Sequence, residues 1–221
     1  MKLLFNALAK FILGVALISA LLFLPARTIN YFGAWLFMGV LFVPVLIAGI
    51  VLYLKAPRLL ERRLSHKEKE KSQRRVVGLS GLMFVSCFVL SSLDFRFGWS
   101  VVPLWVSIAA AVAFLTGYGI FAEVMRENEF LSRTIEVREG QTVVSTGLYG
   151  VVRHPMYAAT LLMFLPMPLI LGSWWGLAPL ALYPAIIAVR IVGEERLLEG
   201  ELDGYAEYKS KVKYRLIPFV W

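Results

Sequence analysis

Two polar clusters interrupt the apolar C-terminal half of this chain. The first, Gly147 to Tyr157, reads GLYGVVRHPMY. It packs two glycines, an arginine, one of the chain's two histidines, a proline and two tyrosines into eleven positions. Arg153 and His154 directly precede Pro155. Proline is favoured at the first position of a helix and pushes its predecessor out of the helical region. Arg153 and His154 should therefore stand at a helix mouth, beside unpaired N–H groups and a positive dipole end, where an anion is welcome. Gly147 and Gly150 would let the backbone turn sharply and approach a ligand. The plainer reading makes Arg153 and His154 interface anchors at the start of a membrane span.

The second cluster is Arg190-Ile-Val-Gly-Glu-Glu-Arg. Ionisable groups at the end of an apolar helix are costly unless paired or wet, and they read first as functional. Arg190 and Glu194 stand at i, i+4 and can pair. Glu195 points about 100° further round the helix, so one arginine cannot satisfy both carboxylates. One glutamate is left for a hydroxyl, an amine, or a partner from another segment such as Arg153. The plainer reading is a snorkelling helix end closed by its own salt bridge. No phosphate-loop, dinucleotide, nucleophile-elbow or zinc-protease motif is present.

The elements that must position these clusters are membrane helices. The chain has 221 residues, 59% hydrophobic and 17% charged. Soluble domains carry about 25% charged residues. The balance predicts an all-α polytopic membrane protein of about six transmembrane helices, the last two a helical hairpin. Residues 3–25 read as a retained first span rather than a cleaved signal. Tyr31–Leu54 is long enough to cross, with Pro44 as a predicted kink. Val76–Leu93 and a stretch within Phe97–Ala122 follow, with Asp94, Arg96 and Trp99 marking a predicted turn between them. Pro155–Val189 is uncharged. As one helix it would be about 52 Å long, too long for a single crossing. Gly172-Ser-Trp-Trp-Gly176 should break it into two spans. Gln141–Ser145 could be a short extended piece, and Glu194–Trp221 should form an amphipathic helix with an extended end.

Nine lysines or arginines fall within residues 55–75. This block reads as a topology signal on a wet helix or as a patch for anionic lipid. With six spans, all but Arg27 and Arg96 of the 23 basic residues fall on the side of the N-terminus. That side should be cytoplasmic, with both termini. The net charge of +8 then reflects topology and not a nucleic-acid partner. One cysteine, Cys87, excludes a disulfide within the chain, and two histidines are too few for a histidine metal cage.

Gly147-x-Tyr149, Arg153-His-Pro-x-Tyr157, Glu194-Glu195, Tyr205-x-x-Tyr208 and Arg215-x-Ile-Pro218 in this order resemble membrane methyltransferases of the isoprenylcysteine carboxyl methyltransferase type. The related phospholipid N-methyltransferases share the Arg-His-Pro and Glu-Glu elements. The resemblance covers roughly 128–218. It departs at Ala159, where family members often carry glycine. It divides the chain into four N-terminal spans, 1–122, and a catalytic region, 123–221. It implies a cytosolic pocket for S-adenosylmethionine, with S-adenosylhomocysteine as product, built from the 123–154 loop, the last two spans and the tail. By matching position Gly147, Tyr149, Arg153, His154, Pro155, Tyr157, Glu194 and Glu195 would bind the cofactor. Arg190, Glu195 and His154 would serve the chemistry. The acceptor would be lipid-like, an isoprenylcysteine-type carboxylate, another lipophilic acid or thiol, or alternatively the amine of a phospholipid. A carboxylate needs only orientation, for which Arg190 or Arg215 would serve. An amine needs a base, His154 or a glutamate. A non-catalytic membrane scaffold is the remaining alternative.

Overall fold

The computed structural model describes residues 2–57, 60–61, 64, 71–128, 130–131, 137 and 140–221, without side chains at 71–77. Ten residues of the basic block at 55–75, and eight of the 123–154 loop, lie outside the described residues.

The described chain is helical and shows no strand. Its elements are α1 (Lys2–Ala26), α2 (Phe32–Lys55), α3 (Lys71–Phe97), α4 (Leu104–Glu127), a 3-10 turn (Gly147–Gly150), α5 (Pro155–Phe164), α6 (Met167–Ile170), α7 (Leu177–Leu180), α8 (Tyr183–Glu201) and α9 (Tyr205–Lys211). Five stretches are long and apolar enough to cross a membrane: α1, α2, Gly78–Phe97, α4 and Leu177–Glu201. Pro155–Ile170 is a shorter apolar stretch. The protein is therefore an integral membrane protein. Exposed Leu13, Val43, Ile47, Leu82 and Val112 are the faces such helices turn to hydrocarbon.

Several boundaries differ from the sequence reading. Asp94 and Arg96 are not in a turn, because α3 runs on to Phe97. Gln141–Ser145 carry no strand assignment among the described residues. Glu194 does not open a new amphipathic helix. It sits within α8, and the tail helix α9 starts only after Gly204, whose φ of 82° reverses the chain. Glycine adopts such an angle without strain.

The Pro155–Ile170 stretch is short, yet it travels from one end of the bundle to the other. At one end Tyr149, just before it, meets Asn128 at the end of α4. At the other, Ser107 near the start of α4 donates to Leu169 O at 2.8 Å, and Tyr31 Oη donates to Leu171 O at 2.7 Å. It lies against α4 because small residues let it. A Cβ on Gly117 would stand 2.5 Å from Met163 Cγ and 3.0 Å from Ala159 O. Ala159 is fully buried. With alanine at 159, the close approach is supplied from the other helix, by Gly117.

At the end of the bundle away from the two clusters, the fully buried Asp94 closes the hairpin. It accepts hydrogen bonds from Ser100 N (2.7 Å), Ser100 Oγ (2.6 Å) and Ser173 Oγ (2.5 Å). Ser173 Oγ in turn accepts from Gly176 N at 3.0 Å. A buried carboxylate is tolerable only with such partners. The predicted break at Gly172–Gly176 is thus tied to α3 by a hydrogen-bonded knot.

Candidate active site

The loop before α5 is fixed to the end of α4. Gly147 has φ of 50°, and its missing Cβ leaves the space taken by the Glu127 carboxylate. Glu127 Oε2 accepts from Leu148 N at 3.1 Å. Tyr149 is buried by this turn, and its hydroxyl accepts from Asn128 Nδ2 at 2.9 Å. Burial pushes its pKa up to about 12; the charges of Glu194 and Glu127 add to this and the Asn128 hydrogen bond works against it.

Four residues after Tyr149 the backbone meets the tail. Arg153 N donates to Tyr214 O and His154 N to Arg215 O, both at 2.9 Å. Pro155 then opens α5, as its ring favours. The Arg153 side chain is buried, and two of its three nitrogens are bound within the protein. Its Nε donates to Glu195 Oε1 at 2.8 Å, and one terminal nitrogen donates to Val212 O at 2.6 Å and Lys213 O at 2.8 Å. His154 Nε2 lies 3.2 Å from the same Glu195 oxygen. Arg215 Nε donates to Glu195 Oε2 at 2.9 Å and stacks over the Trp221 ring. Glu195 thus gathers three basic side chains from two segments, the loop before α5 and the tail, and a buried carboxylate needs such company.

Glu194 points elsewhere, as helix geometry requires. It accepts from Tyr157 Oη at 2.7 Å, and Arg190 Nε lies 3.5 Å from the same hydroxyl. Tyr157 therefore stands between Arg190 and Glu194, where the sequence suggested a direct pair.

A cleft opens between these groups. Its polar wall holds Tyr149, Arg153, His154, Tyr157, Glu194, Tyr205 and Tyr208. Its apolar wall is Phe130, Leu131, Val143, Leu197, Leu198 and Leu202. Of the residues expected to contact a ligand, Tyr149, Arg153, His154, Pro155, Tyr157 and Glu194 line it. Gly147 and Glu195 do not, nor does Arg190. Gly147 is pressed against Glu127, and Glu195 is enclosed by its basic partners. Sequence reasoning missed Asn128, Tyr205 and Tyr208 as parts of the wall. The Tyr205-x-x-Tyr208 spacing was the available signal, since i and i+3 share a helix face. Arg215, considered as a holder of an acceptor, is instead bound to Glu195.

Residues 105–201 match the Phospholipid methyltransferase family. No curated protein matches the chain significantly. The match bears out the relation read from the Arg-His-Pro and Glu-Glu elements. Over that segment, somewhat under half of the chain, this helical membrane protein is similar to the phospholipid methyltransferases. The matched segment runs from the start of α4 to the end of α8. It contains both polar clusters and omits α1–α3 and the tail.

Proposed function

We propose that the cleft binds S-adenosylmethionine and that the protein transfers its methyl group to a lipid-like acceptor. The observation that carries this reading is the convergence of Arg153, His154 and Glu195 at one corner of a cleft within a methyltransferase-matched segment. The lining suits the cofactor chemically. Glu194 offers carboxylate oxygens to hydroxyl or ammonium groups, and the leucine and phenylalanine wall suits a flat purine. When bound, the cofactor supplies an electrophilic methyl group on its sulfonium.

The side chains divide into two groups. Arg153, His154 and Glu195 hold the corner together and tie the tail to α5. We therefore assign them positioning roles, where the motif alone implied direct contact for all three. Tyr157 and Glu194 line the cleft and face the reactants, with Arg190 behind the Tyr157 hydroxyl. The acceptor we assign is the amine of a phospholipid headgroup, because the match is to phospholipid methyltransferases. A Glu194 carboxylate oxygen would take the ammonium proton before attack. The second reading is a lipophilic carboxylate, which Arg190 beside Tyr157 would orient. Residues 123–221 then form the catalytic region, with α4 as its supporting wall. The cleft faces the cytosol, following the sidedness of the basic residues.

The test is binding of S-adenosylhomocysteine to the purified protein, followed by lipid analysis. A host lacking methylated phosphatidylethanolamine should accumulate it on expression. Absence of cofactor binding would remove the reading. Binding with unchanged lipids would move the acceptor to the carboxylate, to be traced with a radiolabelled methyl donor.

A further inference from the structure

One buried polar atom on the cleft wall makes no hydrogen bond among the described residues. Tyr205 opens α9 and is 4% exposed. Its hydroxyl is buried and has no hydrogen-bond partner among the described residues. The other phenols of the cleft are all engaged. Tyr157 donates to Glu194, Tyr149 accepts from Asn128, and Tyr208 donates to Tyr149 O at 2.8 Å. A buried hydroxyl without a partner is costly and uncommon.

The ring itself is well fixed. It packs in a small apolar cluster with Tyr208 and Val212, flanked by Val143, Leu198 and Leu202. Its backbone N–H donates to Leu202 O at 3.2 Å. Packing therefore holds the ring in place while leaving its polar end unsatisfied. Burial pushes the phenol above its usual pKa, with Glu195 adding to the shift. The hydroxyl is thus neutral and available as a donor at physiological pH. Tyr205 lies outside the matched segment, so the tail brings to the cleft a group that the match does not cover.

We propose that Tyr205 is a binding residue for the methyl donor, its hydroxyl making the hydrogen bond to a polar oxygen or nitrogen of bound S-adenosylmethionine. This rests on reading the cleft as the donor site.

The experiment measures calorimetric binding of S-adenosylhomocysteine and ligand-free Tm for the wild type, Tyr205→Phe and Tyr208→Phe. Tyr205→Phe should weaken binding about tenfold, the effect of one ordinary hydrogen bond. Its ligand-free Tm should stay the same or rise, because an unsatisfied buried group is removed. Tyr208→Phe should lower the ligand-free Tm, since it strands Tyr149 O. Equal affinity of wild type and Tyr205→Phe overturns the inference and leaves the donor site standing. Weakened binding together with a lower ligand-free Tm in Tyr205→Phe also overturns it, because the hydroxyl then serves the fold. Failure of the wild type to bind removes the donor-site reading and the inference with it.

Discussion

Arg153 Nε donates to Glu195 Oε1 at 2.8 Å across 42 positions of sequence, and the two side chains are only 5% and 4% exposed. The pair joins the loop before α5 to the last turns of α8. Through the Val212 and Lys213 carbonyls the same guanidinium also captures the tail. Removing either partner leaves a buried charge without its counterpart, which costs about 3–5 kcal/mol. Arg153→Ala and Glu195→Ala should each lower Tm in detergent and expose the tail to protease. An unchanged Tm in both would show that the pair contributes little to the fold.

Glu194 should behave differently from its neighbour. It is half-buried and contacts Tyr157, but it closes no junction between distant segments. Glu194→Ala is expected to weaken S-adenosylhomocysteine binding about tenfold or more, as loss of a charged hydrogen-bond acceptor does, with a small change in Tm. Calorimetry and thermal melts on the same preparation separate the two glutamates. Equal stability losses in Glu194→Ala and Glu195→Ala would contradict the division of labour.

The contact between α4 and α5 depends on the absence of a side chain at Gly117. Gly117→Val would drive new atoms into Met163 and the Ala159 carbonyl, whose distances from a Cβ are 2.5 and 3.0 Å. Overpacking of this kind costs about 1–3 kcal/mol. Because α5 carries the Arg-His-Pro corner at its mouth, ligand affinity should fall with Tm. A variant as stable as the wild type would mean the helices can separate without consequence.

Asp94 predicts a stability effect remote from the cleft. Asp94→Ala leaves Ser100 N and Ser173 Oγ without their acceptor in a buried place. The expected loss is about 1–3 kcal/mol, seen as a lower Tm with unaltered affinity for S-adenosylhomocysteine in the protein that remains folded. Altered affinity at an unchanged Tm would contradict a purely structural role.

Alkaline pH should loosen the tail. The Tyr149 phenol is pushed up to about 12 by burial, while in the unfolded chain it titrates near about 10. Between those values the unfolded chain has lost a proton that the folded one keeps. The stabilisation is therefore complete below about pH 10 and declines as pH rises toward 12. Burial shifts Tyr205 and Tyr208 in the same direction. Melts from pH 8 to 11.5 should show a falling Tm, with a shallower fall in Tyr149→Phe. Parallel slopes would show that Tyr149 does not contribute.

How much was legible differs from residue to residue. Hydropathy alone marked the membrane helices, because a span must be long and apolar to satisfy its backbone in lipid. The break at Gly172–Gly176 was readable from glycine and tryptophan chemistry. The role of Asp94 was not, because a single acidic residue near a span end looks the same whether it meets water or a buried serine. The same holds for Tyr205 and Asn128, which share the cleft because the tail and the end of α4 both bind Tyr149 in the loop before α5.

The sequence by itself determined that this is a membrane protein of apolar helices with two polar clusters, since residue type and spacing fix hydropathy and the local direction of each side chain. It also fixed that Glu194 and Glu195 must face different partners, because adjacent residues on a helix diverge. Which partners they take was decided by tertiary structure alone. Arg153, His154 and Arg215 reach Glu195 only because α5, α8 and the tail close on one another, and a hydrogen bond depends on that closure in space, which spacing along the chain does not record.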